Sequence, residues 1–180
     1  MIPTHEDIVN MQRIIWEMKL NKWLHHDVFS WRWWTIAIIM IVPIIIWLRL
    51  VDKRRLASIT MLGLITVVLT VTLDIIGYET VLWSYPVELL IMVPLLEIDF
   101  GILPILYMII YQYAIDWKKY IIANTCMAAV FAFIFEPILG WAGFYDMYEW
   151  KVSYSFPIYI LIAIMAKWLT DTIFNIQRSN

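Results

Sequence analysis

Long uncharged stretches alternate with short charged ones along this chain. Trp33–Leu48, Leu56–Leu73 and Tyr120–Phe135 each run without Asp, Glu, Lys or Arg, and charged residues bound them. A helix needs about 20 mainly apolar residues to cross roughly 30 Å of hydrocarbon, with a lower limit of about 17. With the less clean stretches added, the pattern predicts five membrane helices, over residues 33–50, 56–74, 86–113, 120–136 and 157–174. The third contains Pro94 and Pro104, and Pro157 opens the fifth, where a missing N–H costs nothing. Strands are excluded: an open sheet edge in lipid leaves backbone groups unpaired, and a barrel needs many segments of alternating polarity.

Ahead of the first run the period changes. Ile8, Met11, Ile14, Ile15 and Met18 recur at helical spacing, while Asp7, Asn10, Arg13, Glu17 and Lys19 occupy the rest of the turn. This predicts an amphipathic helix lying in the headgroup region, with docking against a partner's helix as the alternative. Trp23, Trp31, Trp33 and Trp34 mark the descent into the bilayer, since indole rings favour the interface. The expected fold is therefore all-α: residues 1–32 form an interfacial segment, and residues 33–180 form an integral membrane bundle.

Composition agrees with this pattern. The 180 residues are 63% hydrophobic and 16% charged, against about a quarter charged in soluble chains. A net charge of −2 without a basic patch excludes nucleic acid as a partner, leaving membrane lipids and a possible membrane-protein partner. The lone Cys126 excludes an internal disulfide. No cleavable signal peptide is expected, because the first apolar run follows a long polar stretch rather than a short basic one. Basic residues then set the orientation. Arg49, Lys53, Arg54 and Arg55 crowd the first loop, Lys118 and Lys119 the third, and Arg178 follows the last helix; residues 75–85 carry none. Lys and Arg collect in short cytoplasmic loops, so the amino terminus is expected outside a bacterial cell membrane and the carboxyl terminus in the cytoplasm.

Candidate chemistry rests on carboxylates. An Asp at the centre of a membrane helix costs about 2.5–3.5 kcal/mol on insertion scales, so it asks for a partner or a purpose. Glu97 and Asp99 fall in the middle of the expected third helix, about 200° apart around it, so both reach one cavity only if the helix is broken. On an unbroken helix Glu88, Met92 and Asp99 share a face. The alternative is a third helix starting nearer Glu97, with the earlier acids in a loop. Asp74 closes the second helix and Glu136-Pro137 the fourth. Trp83, Tyr85, Trp141, Phe144, Tyr145, Tyr148, Trp150 and Tyr154 make the same side aromatic.

Carboxylates beneath an aromatic rim can bind a cation, relay protons or act as acid and base on an amphiphile. They can equally be bundle glue for Tyr and Trp donors. Glu88, Asp99 and Glu136 are the candidate acids. Asp74, Glu97, Trp83, Tyr85, Tyr145 and Trp150 are the candidate binding residues. Lys167 and Asp171, one turn apart, are expected to pair, with the Lys snorkelling to the interface. His25-His26-Asp27 is expected to be a surface patch rather than a metal site, since neighbouring His residues point about 100° apart on a helix. No phosphate loop, zinc motif or nucleophile elbow is present, and the residues leave any cofactor unknown.

In its order of features the chain resembles a family of small, uncharacterised multi-pass membrane proteins of spore-forming Gram-positive bacteria. Asp74 ends a helix, Trp83 and Tyr85 follow, and Asp99 precedes Pro104; Glu136 and the run Gly143, Tyr145, Trp150, Ser153 complete the likeness. The resemblance implies a membrane bundle and interest in Asp74, Asp99 and Glu136, and it names no substrate. Pro86-Val87-Glu88 is similar to the Pro-x-Glu motif of membrane-embedded lycopene cyclases, with Leu89 where those enzymes carry a second acid. Three functions follow as expectations: a lipid- or partner-interacting non-catalytic component, an enzyme acting on a lipid or isoprenoid, or a small proton- or cation-coupled carrier.

Overall fold

The computed structural model describes residues 2–91 and 98–179, and among them it is almost wholly helical. Helix α1 (His5–Lys22) starts at a capping box: the Thr4 hydroxyl accepts from the Asp7 N–H and the Asp7 carboxylate accepts from the Thr4 N–H. A π-helical turn (Trp23–Asp27) carries the chain on to α2 (Trp31–Leu50). Then follow α3 (Leu56–Glu79), α4 (Leu103–Tyr113) behind a π-helical turn over Ile98–Ile102, and α5 (Trp117–Val130). A second π-helical turn (Phe131–Phe135) joins α5 to α6 (Glu136–Trp141), and α7 (Val152–Ser179) closes the bundle.

Four helices among the described residues are long and apolar enough to cross a membrane: Trp31–Leu50, Lys53–Glu79, Trp117–Trp141 and Val152–Gln177. Ile98–Tyr113 is apolar but shorter. Outward-facing Ile38, Ile41, Ile45, Leu64, Val68, Ile122 and Leu161 are exposed, an apolar belt that water would not tolerate on a small soluble domain. Inside, Ile59, Leu62, Leu103, Tyr107, Tyr120, Ile162 and Ala166 form the main core between α3, α4, α5 and α7. Buried Ala128, Ala132, Ala163 and Ala166 bring α5 and α7 close. Tyr107 and Tyr120 spend their hydroxyls on the α7 carbonyls of Tyr159 (2.7 Å) and Ala163 (3.1 Å).

The third expected helix needs correction. Residues 86–91 are not helical, so Glu88 shares no helix face with Asp99; Met92, Pro94 and Glu97 lie outside the described residues. The cause is competition for carbonyls. The Lys22 ammonium donates to the Pro86 carbonyl (2.6 Å), the Trp23 indole to that of Glu88 (3.1 Å) and the Trp33 indole to that of Leu89 (3.1 Å). Acceptors that a helix would use are taken by the α1–α2 segment, and Pro86 supplies no donor. At the other end, α7 begins at Val152 rather than Pro157, because Ser155 is held by both Trp150 and Glu136.

The bundle has two unlike ends. At one, the α2–α3 turn meets the end of α4: Asp52 N–H donates to the Gln112 side chain (2.8 Å) and Arg55 to the Gln112 carbonyl (3.1 Å). Lys167 lies there too, 4% exposed and 2.9 Å from Asp171. It does not snorkel: its ammonium sits 4.8, 5.0 and 5.3 Å from the rings of Tyr111, Trp117 and Tyr120. Those rings face the cation from three directions and attract it in place of water. The other end carries α1 and the two long loops.

Candidate functional site

At that second end a two-stranded antiparallel pairing, β1 (Trp83–Ser84) with β2 (Asp146–Met147), ties the loop after α3 to the loop before α7. The Leu82 carbonyl accepts from Tyr148 N–H (2.9 Å), and the Ser84 and Tyr148 hydroxyls are 2.8 Å apart. This short pairing brings together side chains that lie sixty or more positions apart in sequence. Tyr85 stacks on Tyr145 at 5.6 Å, and Trp83 meets Trp150 edge to face at 4.9 Å.

Below these rings is a cavity of about 230 Å³. Asp74, Asp99 and Glu136 all line it, and all three are more than nine-tenths buried. Each arrives differently. Asp74 stands in the last turns of α3, on one face with Thr70 and Gly77, which also line the cavity. Asp99 lies in the π-helical turn before Pro104, and Glu136 directly follows the π-helical turn before Pro137. A proline donates no hydrogen bond to the turn behind it, which leaves room for the wider turn.

Asp74 accepts from the Trp83 indole at 3.0 Å and from the Tyr85 hydroxyl. One Glu136 oxygen accepts from the Tyr159 hydroxyl (2.7 Å), the other from Ser155 (2.9 Å), whose own oxygen accepts from the Trp150 indole (2.9 Å). Burial pushes the Tyr85 phenol well above its ordinary range, and the carboxylate of Asp74 adds to that rise. Burial raises Tyr145 in the same way, helped by Glu136 and Asp74. Both therefore stay protonated, and Tyr85 donates to Asp74. The rest of the wall is apolar, with Ile36, Leu103, Phe131, Ile158 and Ile162 among its residues. Leu73, Ile76 and Phe135 line the cavity and are also exposed on the outer face of the bundle.

Seven sequence candidates meet here: Asp74, Asp99, Glu136, Trp83, Tyr85, Tyr145 and Trp150. Glu97 lies outside the described residues. Glu88 does not join them. It is buried apart, near Lys19 and Lys22 on α1, and burial raises its pKa despite those cations. Sequence reasoning missed Ser155 and Tyr159, although their four-residue spacing puts both on one face of α7. It also missed Gly77. A Cβ there would lie 2.0 Å from the Trp83 ring, so glycine makes the seat for the indole. His25 and Asp27 are occupied locally: the His25 ring meets the Asn21 carbonyl (2.9 Å), and Asp27 pairs with Lys22 (2.7 Å). No family model matches the chain, and neither a curated protein nor a solved structure matches it.

Proposed function

We propose that the chain is a five-pass membrane protein that binds a small amphiphile, non-covalently, in the carboxylate cavity. The observation that carries this reading is the convergence of Asp74, Asp99 and Glu136 on one apolar cavity whose lining, among the described residues, includes no Lys, Arg or His. Such a wall offers acceptors and negative charge to a head group that is cationic or rich in hydrogen-bond donors. The aromatic rings beside it suit an ammonium as well. A volume of about 230 Å³ is below the usual 300–1,000 Å³ of drug-sized sites, so it suits a head group and a few carbons. Leu73, Ile76 and Phe135 let a longer tail leave sideways into the hydrocarbon.

The orientation that fits places the cavity end and α1 outside and the end with Arg49, Lys53, Arg54, Arg55, Lys118 and Lys119 in the cytoplasm. Ile98–Tyr113 then serves as the short third crossing. The exposed apolar residues of α1, among them Met11, Ile14 and Met18, rest in the outer headgroup region.

The test is mass spectrometry of the molecules that co-purify with wild type, Glu136→Gln and Asp74→Asn. One specific amphiphile, enriched in the wild type and depleted in both variants, is the expected result. Bulk lipids alone in all three samples would overturn the reading. A chemically altered molecule accumulating in the variants would replace binding with catalysis.

A further inference from the structure

A second hollow lies beneath α1, a groove of about 540 Å³ between Gln12, Ile15 and Lys19 on one side and Tyr78, Glu79 and Tyr148 on the other. Trp83 lines both this groove and the carboxylate cavity, and among the described residues no other is shared by the two walls. We propose that the groove is an outer chamber for the amphiphile's polar head and that Trp83 is the gate between it and the cavity. This inference rests on the reading that the cavity holds an amphiphile.

Three features of the Trp83 seat support a gate rather than fixed packing. Beside its edge-to-face contact with Trp150, the indole is latched by a hydrogen bond, its N–H donating to Asp74, one of the acceptors that an incoming head group would engage. A head group that takes Asp74 therefore competes directly with the latch. The ring also sits against Gly77 with no room for a Cβ between them, so the closed position exists only because that site is bare.

The third feature is the turn that carries Trp83. Helix α3 ends with Val81 N–H donating to the Tyr78 carbonyl (3.1 Å) and Leu82 N–H to that of Gly77 (2.9 Å). Helix α6 ends with the same pair of bonds, from Gly143 to Gly140 (3.0 Å) and from Phe144 to Leu139 (2.9 Å). This motif puts its fifth residue in the left-handed region, where glycine is usual. Gly143 has φ 73° there at no steric penalty, whereas Val81 has φ 58° with a β-branched side chain. The turn beneath Trp83 is thus strained while the ring is seated, a cost that an open position with Val81 outside the left-handed region would remove. Helix α1 is anchored across the groove, since the Lys19 ammonium meets the Tyr78 hydroxyl and Lys22 holds the Pro86 carbonyl.

The experiment uses the full chain in lipid nanodiscs with Cys126→Ser and a reporter cysteine in the cavity wall, Thr70→Cys or Ile36→Cys. The probe is a trimethylammonium-ethyl methanethiosulfonate, whose fixed charge keeps it out of hydrocarbon, so it reports entry from water and not the lateral opening. Trp83→Ala is expected to speed labelling by about tenfold, the scale set by one lost hydrogen bond to a charged group. Val81→Gly, which relaxes the turn with the ring seated, is expected to slow it severalfold. A merely damaged fold would speed both. Labelling of Gln12→Cys, outside the gate, should be the same in every background. Equal rates at the cavity reporters in wild type and Trp83→Ala would overturn the gate, as would a Gln12→Cys rate that moves in step with them. Either result leaves the binding reading to its own test, because the co-purifying molecule is measured separately.

Discussion

The two ends of the bundle bury charge in opposite ways. Around Lys167 the space is closed: Asp171 neutralises the ammonium, three rings pack against it, and the Tyr111 hydroxyl donates to Asp171 at 2.8 Å. Around Asp74, Asp99 and Glu136 the space is open, and protein donors to Asp74 and Glu136 approach from the rim while a cavity of about 230 Å³ lies between. A charge that is buried and fully enclosed serves cohesion. Charges set around a hollow can be completed by something else. The difference predicts that stability and occupancy separate between the two ends.

The largest effect is expected at the Trp83 seat. Gly77→Ala drives a rigid indole from a 2.0 Å contact and should lower unfolding stability by about 3 kcal/mol, the upper end for overpacking, as read from thermal unfolding in detergent. Asp171→Asn comes next. It leaves Lys167 buried with its partner's charge gone and should cost about 2 kcal/mol, below the range for a fully buried pair because Asp171 keeps part of its surface exposed. Its co-purifying molecules should match those of the wild type. Glu136→Gln reverses the pattern. It keeps the shape and weakens two charge-assisted hydrogen bonds, so about 1.5 kcal/mol is lost, yet the bound molecule disappears. If Asp171→Asn empties the cavity as completely as Glu136→Gln does, the contrast between the ends fails.

Two smaller effects sharpen the picture. Val81→Gly should raise stability by about 1 kcal/mol, while Gly143→Val, which puts the strained choice into the relaxed turn, should lower it by a similar amount or more. The smallest concerns Glu88. Its pKa is raised in the folded chain, chiefly by burial, so folding favours the protonated form. The resulting stability is present below the ordinary Glu range and is lost as pH rises through the raised value. Unfolding midpoints of wild type should therefore fall relative to those of Glu88→Gln across that window, and parallel curves would exclude it.

How legible all this was depends on the range of the forces involved. The four long apolar helices could be read directly, because a bilayer's thickness acts on a count of consecutive residues and needs no tertiary information. The carboxylates and rings of the site were legible as types, since an acid within or beside an apolar run is conspicuous by its cost. Ser155 and Tyr159 were legible only as a spacing, with nothing in the sequence to say that Glu136 stands opposite.

What the sequence determined by itself, then, is the apolar character of the helices, the clustering of Arg and Lys at alternate turns, and the identity of Asp74, Asp99 and Glu136 as residues needing partners. Tertiary structure decided the rest. Residues 86–91 are held out of a helix by donors from Lys22, Trp23 and Trp33, fifty-six or more positions away. Glu88 is thereby excluded from the site, and a two-residue strand pairing gathers the rim over the three acids. Local period and propensity carry no record of a hydrogen bond between residues so far apart in sequence. Only the packed bundle brings these donors and acceptors within 3.1 Å of one another.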